Sequence, residues 1–246
     1  MIDIRMIKKV NMEQSTFIEG FPGAGLVGPM AVSYIIDKLG MEYVGYLESD
    51  EFPPIISIHE GIPMPPMRIY FSAKQKIVSI FAEFAIPISL IHELSNKIYE
   101  FISANNMVMI VGIGGFPSQP LPENKTVFTI TSDKKVAEDI KKLGLEPILE
   151  GVSAGVGPML MLKSKQDKLP ALNILVPVDQ NLINPVYAEL AIDAINKLMN
   201  LNIDIEDLDK EAKLVESKIK DLLKKSKETH ENYKKALDET GPSMYA

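Results

Sequence analysis

Thr16-Phe17-Ile18-Glu19-Gly20-Phe21-Pro22-Gly23-Ala24-Gly25-Leu26-Val27-Gly28 runs from a short apolar stretch through a glycine turn into a segment of helical period. Aromatic and β-branched residues favour an extended chain, and the glycines and proline that follow interrupt it. The spacing predicts a strand over residues 16–21 and a helix over 27–39, closed by Gly40. A strand, a glycine turn and a helix in that order open an α/β unit, in which strands lie between layers of helix.

Working outward, the same alternation continues. Short runs rich in Val, Ile, Tyr and Phe predict strands over 43–47, 55–59, 67–72, 77–84, 108–112, 127–131 and 172–178. Helical spacing predicts helices over 89–104, 133–143 and 185–200, the last with Asn184 as cap and Pro185 in the first turn, where a missing N–H costs nothing. The expected fold class is α/β, a mostly parallel sheet sandwiched by helices. Residues 52–66 hold several prolines among apolar residues. Proline removes ladder bonds from a central strand, so this stretch reads as a surface excursion or a short edge hairpin.

From about Leu201 the composition shifts to Lys, Glu and Asp, with no Pro and no Gly until Gly241 and Pro242. Leu201, Ile205, Leu208, Ala212, Val215, Ile219 and Leu222 follow a four-three spacing, the seam of a coiled coil or of a helical hairpin. Asp204 is placed to cap that helix, with Asp207 three residues on. Helical to about Thr240, the segment is on the order of 50 Å long. The expected division is an α/β domain over residues 1–202 and a helical extension over 203–246 that presents Met244, Tyr245 and Ala246 at an exposed end.

The chain has 246 residues, 46% of them hydrophobic and 24% charged, as an ordinary globular protein has. A net charge of −7 argues against a nucleic-acid partner, which needs a basic face for phosphates. The absence of cysteine excludes disulfides, thiol nucleophiles and cysteine metal sites. No segment approaches ~20 uninterrupted apolar residues and no early stretch reads as a secretory leader, so no membrane partner and a cytoplasmic location are expected.

Two stretches spell enzyme motifs. Gly23, Gly25 and Gly28 satisfy the dinucleotide fingerprint between a strand and a helix, and Glu48 ends the next predicted strand, where a ribose partner belongs. Against that, Pro22 and Pro29 flank a loop that would have to offer backbone donors. The alternative is that the glycines let the helix lie close to the sheet. Gly151, Ser153 and Gly155 match the nucleophile elbow, with Asp179 and His230 following in hydrolase order, but His230 sits among charged residues of the extension. His59, His92 and His230 lack metal-ligand spacing, and Glu48, Asp50 and Glu51 offer carboxylates for a metal or an acid/base pair, with a solvated strand end as the favoured reading. No catalytic residue, cofactor or metal is expected.

Residues 19–28, then Tyr43 to Glu48, Pro53-Pro54, Pro66-Met67-Arg68-Ile69, Gly112-Ile113-Gly114-Gly115 and the loop from Gly151 to Gly157 resemble the proteasome assembly chaperone family in its archaeal branch. The resemblance spans roughly residues 10–200. It implies a fold similar to nucleoside phosphorylases, without established nucleotide chemistry at the glycine loop. Some archaeal members carry a C-terminal helical extension ending in a hydrophobic residue, a tyrosine and any residue. On that pattern Met244 is the hydrophobic member, Tyr245 the tyrosine and Ala246 the bearer of the terminal carboxylate. The resemblance implies a non-catalytic homo-oligomer, an assembly chaperone or ATP-independent activator, whose tail docks between α subunits of the proteasome core particle. The competing expectation is an enzyme that holds a nucleotide or nucleoside on Gly23, Gly25, Gly28 and Glu48.

Overall fold

A computed structural model describes residues 1–119, 121, 126–179, 182–206 and 208. In chain order the elements are β1 (Asp3–Met6), β2 (Thr16–Glu19), α1 (Val27–Lys38), β3 (Glu42–Glu48), β4 (Ser57–His59), β5 (Ile62–Met64), β6 (Met67–Ser72) and β7 (Ile77–Ala82). There follow α2 (Ile91–Ala104), β8 (Met109–Pro117), β9 (Phe128–Thr131), α3 (Lys134–Lys142), β10 (Glu146–Pro147), α4 (Val156–Asp167), β11 (Ala171–Val178) and α5 (Pro185–Met199).

Nine strands form one sheet in the order β1-β3-β6-β7-β2-β8-β11-β9-β10, and β4 pairs with β5 apart from it. The expected parallel pairing occupies the centre, β7-β2-β8-β11, while β1, β3 and β6 add antiparallel strands on one side and β9 runs antiparallel to β11 on the other. Both faces are covered, which is why the central strands read as unbroken apolar runs. Phe17 packs with residues of α2 and α4 on one face, and its neighbour Ile18 packs with α1, α3 and α5 on the other. This is the period of two that a strand imposes.

The elements begin and end where local chemistry dictates. Asn184 Oδ1 accepts from the Val186 N–H at 3.0 Å and Asp133 Oδ1 from the Lys135 N–H at 2.8 Å, each supplying an acceptor to a first helical turn. Helix α5 ends with Asn200 in the left-handed region, and Gly40 takes φ 54 after α1. The proline-rich stretch contains the expected short hairpin, β4–β5, turned through Glu60 and Gly61 at φ 52 and 78, as a two-residue turn requires. Among the described residues it pairs with no other strand, but its Ser57 hydroxyl donates to Glu83, and Glu83 Oε2 lies 2.8 Å from Nη2 of the buried Arg68.

Three elements differ from expectation. Strand β1 is short and charged, its alternation hidden by the polar residues that edge strands carry, and β10 is too short to show a period. Helix α4 begins Val156-Gly157-Pro158, a loop signature that the first turn tolerates because its N–H groups need no helical acceptor. Leu201 and Ile205, expected in the helical seam, lie in a non-helical segment and pack against the α1/α5 core. That segment is tied down by Asn196, which bonds both the N–H and the C=O of Ile203 at 2.9 Å, and by the Tyr34 hydroxyl, which donates to Asp204 O at 2.6 Å. Asp204 Oδ1 accepts from the Glu206 N–H at 2.9 Å, as a cap does. Leu208 is buried in the same core, and residues 207 and 209–246 lie outside the described residues.

Candidate functional site

Strands β2 and β8 are adjacent and parallel, and the chain leaves them toward opposite sides of the sheet, through α1 to β3 and onward to β9 and β11. In open α/β sheets the space beyond the carboxyl ends of such strands is left uncovered. A cavity of about 220 Å³ lies there, lined from β2 and its turn by Glu19, Phe21 and Gly23, from β8 by Ile113, and from β11 by Asn173. The loop into α4 closes it with Ser153 to Pro158.

The floor is set by register. Glu19 pairs with Gly112, and Gly112 with Asn173, so the three form one row across β2, β8 and β11 and share a face. A methyl group on Gly112 would run into Asn173 Oδ1 and come within 2.7 Å of Glu19 Oε1, and one on Gly157 of α4 would run into Glu19 from above. Two glycines therefore let an acid and an amide lie side by side beneath a helix start. Glu19 is 4% exposed and Asn173 5%.

Burial drives the Glu19 carboxyl up to about 7, offset in part by the Phe21 N–H, which donates to Oε2 at 3.2 Å. Asn173 Oδ1 has no hydrogen-bond partner among the described residues. Helix α4 opens at Gly155 without a side-chain cap, and Gly155, Val156 and Gly157 line the cavity, so the positive end of the helix dipole lies at its wall.

The sequence-predicted residues are distributed otherwise. Of the fingerprint glycines only Gly23 lines the cavity. Gly25 takes φ 64 against Val178, and a methyl on Gly28 would meet Ile113 O at 2.6 Å and the Gly20 backbone at 2.9 Å. These two glycines serve helix-to-sheet contact. Glu48 does not meet the loop: β6 and β7 stand between β3 and β2, and the Glu48 carboxylate accepts from Arg5 Nε at 2.6 Å. The nucleotide arrangement fails there because the strand after α1 pairs three places away from β2.

Ser153 lies on an exposed loop three residues before α4, not on a strand-to-helix elbow. Asp179 follows β11, its N–H directed at the Tyr187 hydroxyl at 3.3 Å. His230, Met244, Tyr245 and Ala246 lie outside the described residues. No group of three or more acidic, histidine or cysteine residues among the described ones could hold a metal ion, and no described helix is long and apolar enough to cross a membrane. Ile56, Ile58 and Ile62 on the β4–β5 hairpin and Leu149 and Val152 before α4 are exposed.

Sequence reasoning missed Glu19 and Asn173 as a pair. The signal was available: each is a polar residue inside a run whose neighbours are apolar, Phe17-Ile18 before one and Leu172 and Ile174 around the other.

Comparison with known proteins places this geometry. Residues 17–223 match the model of the PAC2 family. The uncharacterized protein MJ0106 of Methanocaldococcus jannaschii is 33% identical over 214 residues, 87% of each chain. Among solved structures, Pyrococcus furiosus PbaA, an archaeal homolog of proteasome-assembly chaperone, superposes with a TM-score of 0.82 at 25% identity over 94% of this chain and 100% of its own. Pyrococcus furiosus PbaB, an archaeal proteasome activator, shares the fold at a TM-score of 0.76 and 20% identity, over 90% of this chain and 98% of its own.

Proposed function

This chain belongs to the PAC2 family, and we propose that it is a non-catalytic proteasome assembly chaperone or ATP-independent activator. The observation that carries the reading is the end-to-end likeness to PbaA, which leaves none of that chain uncovered. The fold shared with PbaB is consistent with it. The exposed isoleucines of the β4–β5 hairpin suit a surface that meets other chains.

The contact is made by the last three residues. Met244 and the Tyr245 ring enter a groove between neighbouring α subunits of the core particle, the phenol finds a hydrogen-bond partner there, and the Ala246 carboxylate pairs with a lysine. One such tail buries little surface. Several tails on a homo-oligomer raise the effective concentration of the second contact, with a gain of ~100-fold or more when the geometry lets them engage together. The apolar four-three spacing through Ala212, Val215, Ile219 and Leu222 suits that association.

The experiment compares the full chain with a form lacking Met244 to Ala246 and with Tyr245→Ala, for binding to the archaeal core particle and for stimulated peptide hydrolysis. Loss of both in each variant is expected. Unchanged binding would remove the tail from the mechanism, and binding without stimulation would leave an assembly role.

A further inference from the structure

The crevice beyond β2, β8 and β11 is left unused by the tail mechanism, and its polar atoms are arranged in two opposed sets. On the floor, Asn173 Oδ1 and the Glu19 carboxyl present acceptor oxygens, the first of them buried and unpartnered. Leaving such an atom unpaired forfeits the hydrogen bond it made to water in the unfolded chain, so a fold that keeps one beside a cavity gains from a donor that enters it. At the wall stands the uncapped first turn of α4, whose Val156 and Gly157 line the crevice and whose unpaired N–H groups give that helix end its positive character.

A bare cation would suit the floor and be opposed by the helix end. A bare anion would suit the helix end and be opposed by an ionised Glu19. A molecule with an ammonium at one end and a carboxylate at the other satisfies both. The volume of about 220 Å³ lies below the ~300–1,000 Å³ of pockets for drug-sized ligands and suits a small metabolite. Phe21 and Leu175 also line the crevice and can cover an apolar group.

We propose that this crevice binds a small zwitterion of the α-amino acid class, its ammonium on Asn173 Oδ1 and Glu19 and its carboxylate on the first turn of α4. The site is built within one chain and needs no proteasome contact, so it stands or falls apart from the proposed function. Gly112 and Gly157 belong to it by what they lack, since a methyl group on either would displace the acid or the amide.

The test is calorimetric titration and thermal shift of the full chain at pH 8 with the twenty free L-amino acids at millimolar concentration. The matched simple amines and simple carboxylates serve as controls. At least one amino acid is expected to bind one to one and raise Tm, with the controls at least tenfold weaker. Glu19→Gln should weaken that binding at least tenfold. Ala154→Phe, on the exposed loop at the cavity mouth, should do the same while leaving the unliganded Tm within a few degrees, which separates a blocked site from a damaged fold. No binding by any amino acid, binding as tight by a simple amine or carboxylate, or binding indifferent to Ala154→Phe would each overturn the assignment.

Discussion

Replacing Glu19 with glutamine keeps the shape of the row Glu19–Gly112–Asn173 and removes its titration. The wild-type carboxyl titrates near 7 in the folded chain, against an ordinary value of 4.5, because burial disfavours the charged form. The folded state therefore holds the proton where the unfolded state has released it. The stabilisation is fully present below pH 4.5, declines as the pH rises, and is gone above about 7. The rise corresponds to roughly 3 kcal/mol over the whole window, and about 2–3 kcal/mol of it falls between pH 5 and pH 8. Glutamine carries no such dependence. Urea unfolding of both proteins at pH 5, 6, 7 and 8 measures the difference, with the other titrations cancelling between them. Glu19→Gln is expected to gain on the wild type by about 2–3 kcal/mol from pH 5 to pH 8. A difference that stays constant over that range would show that the carboxyl is solvated or paired, and would remove the buried acid from the account.

Three further changes probe the frame around it. Gly112→Ala forces a methyl group against Asn173 Oδ1 and Glu19 Oε1 and should cost about 1–3 kcal/mol in the same unfolding measurement. Glu83→Ala leaves the buried Arg68 guanidinium, 1% exposed, without its 2.8 Å partner and should cost roughly 3–5 kcal/mol, whereas Arg68→Met combined with Glu83→Leu should cost less than the single change. Asn184→Ala removes the acceptor at the start of α5 and should lower stability by about 1 kcal/mol, seen as a drop in Tm with unchanged far-UV dichroism at low temperature.

Much of the architecture was legible where local and tertiary demands agree. Residues 67–72 read as a strand because Met-Arg-Ile-Tyr-Phe-Ser is apolar and β-prone, and it is one, even though Arg68 inside it is buried on Glu83. Asn184-Pro185 fixed the start of α5 through cap chemistry that acts within a few residues. Helix α4 was hidden because Gly157 and Pro158 serve long-range purposes, close approach to Glu19 and an unneeded N–H, that look like loop signals when read locally. Strand order was not legible at all. The nucleotide expectation placed Glu48 beside the glycine loop because β3 follows α1 in sequence, and only pairing shows β6 and β7 between them. The crevice was illegible for the same reason, since Glu19 and Asn173 are brought together by a register across three strands and not by spacing along one.

Engagement of the proteasome by this PAC2-family chain is tested most directly by mixing the purified full chain with archaeal proteasome α subunits, offered both as free subunits and as the finished core particle, and reading the complexes by native mass spectrometry. A stable complex with at least one of the two forms is expected, lost when residues 244–246 are removed. Absence of any complex with either form at micromolar concentration would contradict it.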